Sequence, residues 1–261
     1  VNLKTADVYY SQQNVEQAEA YYKKVLEDNP DYVIALRRLG DISLYNAETF
    51  TAREVEFYES AYHYYTKAIS ITEQFTELTD QDRIDLKDMK KRKERAWTRI
   101  YLAATKEKDA GNTQKAMEIF ELALKLEPER PEPMIQLKNI YLVDLKDDAK
   151  AEQILLQLLT KDPNKLEYLM ELGSFYYNKQ NYAEAVKYFE KARPLIPTNI
   201  DNLMNISACY YEMKDYAKAM DATKAALEIE PNNIDILDNA RSIAAQIQDI
   251  DQAIIYLKRK L

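Results

Sequence analysis

The segment at 166–199 reads LEYLMELGSFYYNKQNYAEAVKYFEKARPLIPTN, and it decides the fold of the chain. Each half places apolar or small residues three or four positions apart, which is the spacing of one face of an α-helix. These positions are Leu169, Leu172, Gly173 and Tyr176, then Ala185, Phe189 and Ala192. Only residues 178–181 separate the two halves, so the segment predicts two antiparallel helices. Pro197 ends the second helix, because proline lacks a backbone donor and clashes with the preceding turn.

The same pattern recurs along the chain with a nearly fixed period. Pro128, Pro163, Pro197 and Pro231 lie 35, 34 and 34 residues apart. A fixed period in this range is typical of repeat arrays, in which each helix pair buries its apolar face against its neighbours. The chain has only three glycines in 261 residues, so its composition favours helices over a fold rich in tight strand turns.

The 34-residue pattern resembles the tetratricopeptide repeat (TPR), which runs from a large apolar residue through Leu-Gly and Tyr to Ala, Phe, Ala and Pro. The resemblance covers most of the chain, although Thr223 stands where the family prefers Phe. It implies an all-α fold, a right-handed α-solenoid of antiparallel helix pairs. We expect one array over 1–261 with repeats at about 1–32, 33–75, 97–130, 131–165, 166–199, 200–233 and 234–261.

The period fails between Pro30 and Pro128, which are 98 residues apart where two plain repeats need about 68. Thr51 followed by Glu54 indicates a capping box, so the second helix of repeat two is expected to start about two turns early. The remaining surplus, at 76–96, begins with residues suited to a helix start and continues toward Trp97. We therefore expect one helix of about thirty residues that projects beyond the regular stack.

This long helix carries the densest basic run, with eight basic and four acidic residues between Gln81 and Arg99. It is either a docking surface for an acidic partner or a solvated face supported by pairs such as Asp88 with Arg92 and Lys90 with Glu94. The sequence favours the solvated face. Nucleic acid is a poor match, since the run lacks interleaved aromatic residues and the whole chain has a net charge of -8.

The resemblance also implies a binding face, because TPR arrays recognise peptides in a groove lined by the first helix of each pair. The inward positions in this chain are Tyr101, Ile135, Asn139, Met170, Ser174, Tyr177, Met204, Asn205, Ala208 and Tyr211. Met and Tyr would supply contact area and Asn would hold backbone amides. The alternative is that these residues only pack on neighbouring helices or on an added helix.

Members of the family that grip the carboxylate tails of chaperones use inward Lys, Asn and Arg residues. The corresponding positions in repeats five to seven are Met170, Ser174, Asn205, Asp235 and Asn239, so the necessary cations are absent there. Arg37 and Arg38 in repeat two form a lone cationic pair at such positions, which is more typical of solvated residues.

Nothing in the sequence indicates an enzyme. His63 is the only histidine and Cys209 the only cysteine, so there are no catalytic, cofactor-binding or metal-binding residues to name, and no cofactor is expected. Cys209 lies in an apolar helical stretch and is expected to be buried.

The expected function is therefore that of a non-enzymatic scaffold that binds a peptide or protein segment in its groove. The alternative is a self-association or assembly module of a larger complex, such as one of the cell envelope, because the array begins mid-repeat and ends without a polar capping helix. Neither nucleic acid nor insertion of this segment into a membrane is expected. The compartment is unknown: the missing initiator Met leans weakly to the bacterial envelope, and truncation of a longer chain explains it equally well.

Overall fold

The computed structural model describes the backbone of residues 2–260 and the side chains of residues 2–259. This part of the chain is all-α and contains no strand. Its α-helices are α1 (Asn2–Ser11), α2 (Val15–Asp28), α3 (Val33–Thr49), α4 (Glu54–Thr72), α5 (Asp80–Asp109), α6 (Thr113–Leu126), α7 (Glu132–Asn139), α8 (Asp148–Lys161), α9 (Leu166–Asn178), α10 (Tyr182–Ala192), α11 (Ile200–Glu212), α12 (Tyr216–Ile229), α13 (Ile234–Gln246) and α14 (Ile250–Lys260). A short 3-10 helix (Thr51–Arg53) precedes α4, and a π-helical turn (Ile140–Asp144) follows α7.

The turns inside most helix pairs share one local chemistry. A residue with positive φ, such as Gln180 (59°) or Lys214 (61°), leaves the first helix. The next residue is Asn or Asp, and its side chain accepts a hydrogen bond from the backbone three positions on, as Asn181 does from Glu184 at 3.3 Å. This satisfies one of the free N–H groups at the start of the second helix. A tight turn of this kind makes the two helices of a pair antiparallel.

Glycine in the first helix of a pair makes room for a ring from the second. A Cβ atom on Gly173 would lie 2.5 Å from the Phe189 ring, and one on Gly40 would lie 2.7 Å from the Tyr65 ring. Both rings are fully buried. The Leu-Gly pattern read from the sequence is therefore a close-approach point between paired helices.

The chain forms two compact units, which divide between Ile140 and Tyr141. In the first unit α2 packs on α3, α4 on α5 and α6 on α7; in the second, α8 packs on α9, α10 on α11 and α12 on α13. Because successive helix pairs contact each other within each unit, the architecture is that of an α-solenoid.

The first part of the surplus sequence between Pro30 and Pro128 lengthens both helices of one pair, α3 and α4. The helix α4 begins at Glu54, two turns before Ala61, which confirms the early start. The predicted capping box is wrong, because Thr51 opens a 3-10 turn and no side chain caps either this turn or α4. The bulky Phe50 separates α3 from that turn, with φ of -110°.

The second part forms α5, which has 30 residues as expected and starts with a capping box between Thr79 and Asp82. The expectation that it projects from the stack is wrong. Its first half packs against α4, and Met89 is fully buried there. Ile84, one turn from the start, stays exposed. Tertiary burial of Met89 therefore holds in place a helix that the sequence suggested would stand free.

Candidate functional site

The structure places the ten predicted groove residues in both units. Tyr101, Ile135 and Asn139 lie in the first unit, on α5 and α7, and the other seven lie in the second, on α9 and α11. Nine of the ten are half-buried, and Ser174 is exposed. Half-buried Met and Tyr side chains have both a packed side and a side open to a ligand.

In the first unit, Tyr101 is fixed by its neighbours. Its ring stacks on Trp97 with centroids 5.7 Å apart and leans on Phe120 at 5.6 Å. The Gln136 amide donates a hydrogen bond to the Tyr101 hydroxyl at 3.3 Å. Gln136 in turn accepts a hydrogen bond from Lys108 Nζ at 2.7 Å. Packing thus accounts for Tyr101, in line with the alternative interpretation of these positions.

In the second unit, Met170 and Tyr177 pack against a buried cluster formed by α10, α11 and α12, which includes Phe189 and Cys209. The Tyr177 ring meets the Tyr182 ring edge-on at 5.3 Å. Burial raises the pKa of Tyr177, and the nearby Glu212 carboxylate raises it further. The phenol therefore stays protonated and remains a hydrogen-bond donor at neutral pH.

The α11–α13 groove is an open cleft of about 420 Å³ between two first helices of successive pairs. Its α11 wall consists of three predicted residues and Glu212; its α13 wall is polar. The lining residues are Met204, Ala208, Tyr211, Glu212, Asp235, Asp238, Asn239 and Ser242. Met204 and Tyr211 rest on the buried cluster of α12 and α13, and the Tyr211 ring meets Tyr216 edge-on at 5.5 Å. The groove thus joins a packed apolar wall to a row of polar side chains.

The predicted set of binding residues left out the α13 wall. The sequence placed Asp235 and Asn239 at inward positions of repeat seven, but only as positions that lack the cations a chaperone tail needs. Asp238, Ser242 and Glu212 were not expected to line the groove. Asp238 and Asn239 lie three and four residues after Asp235, so all three share one helix face and could have been found from this spacing.

The basic run of α5 is largely engaged in ion pairs within the first unit. Arg92 binds Asp41 at 3.0 Å and Asp88 at 2.7 Å. Lys93 binds Glu127 at 3.0 Å, and Arg95 contacts Glu48.

The expected pair of Lys90 with Glu94 is wrong, because Lys90 binds Glu73 at 2.6 Å and Glu94 binds Arg130. The side chains of Lys90 and Glu94 are long and flexible, so they reach partners outside α5. Sequence spacing within one helix cannot identify such partners. Much of the run therefore ties α5 to its neighbours rather than forming a free cationic surface.

The two arginines of repeat two are also engaged rather than simply solvated. Arg37 contacts Asp85 of α5. Arg38 lies over the Tyr10 ring at 4.5 Å and 3.6 Å from Asp41. Asp41 additionally accepts a hydrogen bond from the hydroxyl of Tyr65 at 2.7 Å. Burial raises the pKa of Tyr65 well above its usual range, and Asp41 adds to this effect.

The single histidine and single cysteine differ in environment. His63 is exposed and lies 3.8 Å from Glu59 on the same helix. Cys209 is fully buried, as expected, and burial raises the pKa of its thiol to about 12. A neutral buried thiol is unreactive, so Cys209 is a packing residue.

Three family models match parts of the chain. Two describe the tetratricopeptide repeat and match residues 3–68 and 108–171. The third, described as Regulator of microtubule dynamics protein 1-3, matches residues 177–250. No curated protein matches the chain in sequence. None of the helices among the described residues combines the length and the hydropathy of a membrane span.

Solved structures share the fold at low identity. A crystal structure of MamA protein is 22% identical with a TM-score of 0.52, covering 63% of this chain and 90% of that one. MamA 41-end from Desulfovibrio magneticus RS-1 is 17% identical with a TM-score of 0.51, covering 63% and 92%. YrrB, described as a TPR protein with an unusual peptide-binding site, is 17% identical with a TM-score of 0.50, covering 62% and 82%. The matching family models, together with the solenoid of helix pairs, identify the chain as a member of the tetratricopeptide repeat family.

Proposed function

We propose that the chain is a non-enzymatic scaffold that binds a peptide or protein segment on the first helices of its pairs. The observation that carries this proposal is the α11–α13 groove, in which half-buried Met204 and Tyr211 face a polar wall. Flexible Met and amphipathic Tyr side chains bind varied apolar groups at low conformational cost, and polar groups opposite them fix the orientation of a bound chain. The groove is open, which suits an extended segment better than a small molecule.

The absence of enzymatic activity is part of the same proposal. Proteins of this family generally act as scaffolds. In this chain the histidine is exposed beside one carboxylate, and the cysteine is buried as a neutral thiol. Neither side chain has the partner that nucleophilic or acid–base catalysis requires.

The test starts from peptides selected from a random library against the full chain. We expect Met204→Gln with Tyr211→Asn to lower the affinity of the selected peptides at least tenfold, because both apolar contacts are lost. The matched control is Met213→Gln, since Met213 is exposed just after α11 and does not line the groove. Circular dichroism checks that each variant is folded. Unchanged affinity in the folded double variant would rule out this groove.

A second candidate function is self-association through α14. This helix exposes Ile250, Ile254 and Leu257, with 60%, 41% and 44% of their surfaces accessible. These positions are four and three residues apart, so they form one apolar helix face, and such a face is typical of contact surfaces. The occupant would be a second copy of the chain. Light scattering over a range of concentrations tests this candidate function. We expect a dimer, and we expect Ile250→Glu with Ile254→Glu to abolish it. A strict monomer at high concentration would exclude self-association.

A further inference from the structure

The groove is rich in hydrogen-bond acceptors. Asp235 and Asp238 of α13 and Glu212 of α11 contribute carboxylates, and the described residues that line the groove include neither Lys nor Arg. Asp238 has Arg241 as a partner on its own helix, at 3.5 Å. For Glu212 and Asp235, the described part of the chain contains no ion pair. Their negative charge is therefore available to a ligand.

Asn239 reaches into the same groove from a buried polar cluster. Its carboxamide oxygen accepts hydrogen bonds from the hydroxyls of Ser207 at 3.1 Å and Thr223 at 2.8 Å. The two hydroxyls lie 2.7 Å apart, and Thr223 Oγ1 also lies 2.9 Å from the carbonyl oxygen of Ala219. Both hydroxyl-bearing residues are fully buried. Thr223 occupies the position at which the family prefers Phe, so the cluster fills space that a ring would occupy.

Ser242 completes the pattern, because its hydroxyl donates to the backbone oxygen of Asp238 at 2.8 Å and leaves lone pairs as acceptors. The polar side of the groove thus offers carboxylate and hydroxyl oxygens. A complementary ligand must supply several hydrogen-bond donors and positive charge. Lys and Arg side chains are donors without acceptors, and their stems pack well on Met and Tyr.

We infer that the α11–α13 groove receives a lysine or arginine side chain of the bound segment. The charged head lies at Asp235 and Glu212, while the aliphatic stem lies along Met204 and the Tyr211 ring. This inference rests on the proposed function, since it specifies the chemistry of a segment bound at the same groove.

The test uses the peptides selected against the full chain and synthetic versions in which each Lys or Arg is replaced by norleucine. We expect at least one cation whose replacement lowers the affinity tenfold or more. Glu212→Gln with Asp235→Asn should remove most of that difference, and so should raised salt, because exposed charges are screened. The matched control is Asp221→Asn with Glu228→Gln, which neutralises one Asp and one Glu on the exposed face of α12.

The outcomes separate this inference from the proposed function. Peptides that need Met204 and Tyr211 but bind equally well without a cation would overturn the inference and leave the scaffold function in place. Peptides whose binding does not depend on Met204 and Tyr211 would overturn both. An equal loss in the α12 control pair would also overturn the inference, because the preference would then reflect the overall charge of the chain.

Discussion

Gly173 sets how closely α9 approaches α10, and the cost of changing it can be estimated. A Cβ atom there would lie 2.5 Å from the fully buried Phe189 ring, which has no free space to move into. Overpacking of this kind costs about 1–3 kcal/mol, and replacing a helical glycine returns about 1 kcal/mol. We expect Gly173→Ala to lower the free energy of unfolding, by up to about 2 kcal/mol, in chemical denaturation. The control is Ser174→Ala, which changes an exposed neighbour; equal stability of the two variants would contradict the close contact.

Cys209 allows a test of burial at a single atom. Its thiol is fully buried, and burial disfavours the charged thiolate, which raises the pKa to about 12. The thiol should therefore remain neutral at pH 8 and resist iodoacetamide in the native protein. After unfolding in guanidinium chloride it should react fully. Rapid stoichiometric labelling of the native protein, detected by mass spectrometry, would show that α10 and α12 do not cover this residue.

At the scale of the element, some features of α5 follow from its sequence pattern and others from its packing against other helices. Its length and its capping box were predictable, because Thr79, Asp82 and the apolar spacing are local features of the sequence. Its attachment to α4 was not, because nothing local says that Met89 is covered. The ion pairs of Arg92 and Lys90 with other helices have the same origin: sequence spacing identifies partners only within one helix.

A pair of alanine substitutions on α5 tests this attachment. Met89 is fully buried, so Met89→Ala should cost about 2–5 kcal/mol of unfolding free energy, through lost burial and the cavity left behind. Ile84 on the same helix has 61% of its surface exposed, so Ile84→Ala should change the free energy by no more than about 0.5 kcal/mol. Thermal or urea denaturation measures both. A neutral Met89→Ala would mean that the first half of α5 stands free of α4.

At the scale of the whole molecule, stability should be local, because each helix contacts mainly its neighbours along the chain. Ala185 is fully buried in the second unit, and Ala185→Asp would place an unpaired charge there, at a cost of about 3 kcal/mol or more. We expect hydrogen exchange to speed up in α9–α12 while α1–α4 keep their protection. The control is Ala183→Asp, at an exposed position of the same helix. A uniform loss of protection across the chain would show that unfolding is fully cooperative.

The candidate site was only partly predictable from the sequence, because the packing of neighbouring helices decides which residues line it. Met204, Ala208 and Tyr211 were identified because the repeat places them on the first helix of a pair, and they do line the α11–α13 groove. Tyr101 satisfied the same rule, but it is held by Trp97 and Gln136. A repeat position fixes which face of a helix a residue occupies, whereas the neighbouring helices decide what that face meets.

The sequence by itself determined the helix pairs, their period and the family, because amphipathic spacing and the residues that end helices are short-range properties. The 166–199 segment contained all of them. Only the tertiary structure decided that α5 packs on α4, which cations of the basic run have partners, and that α13 supplies the acceptor wall opposite Met204 and Tyr211. Those outcomes depend on side chains far apart in sequence meeting in space, and burial and charge pairing between helices are not encoded in local spacing.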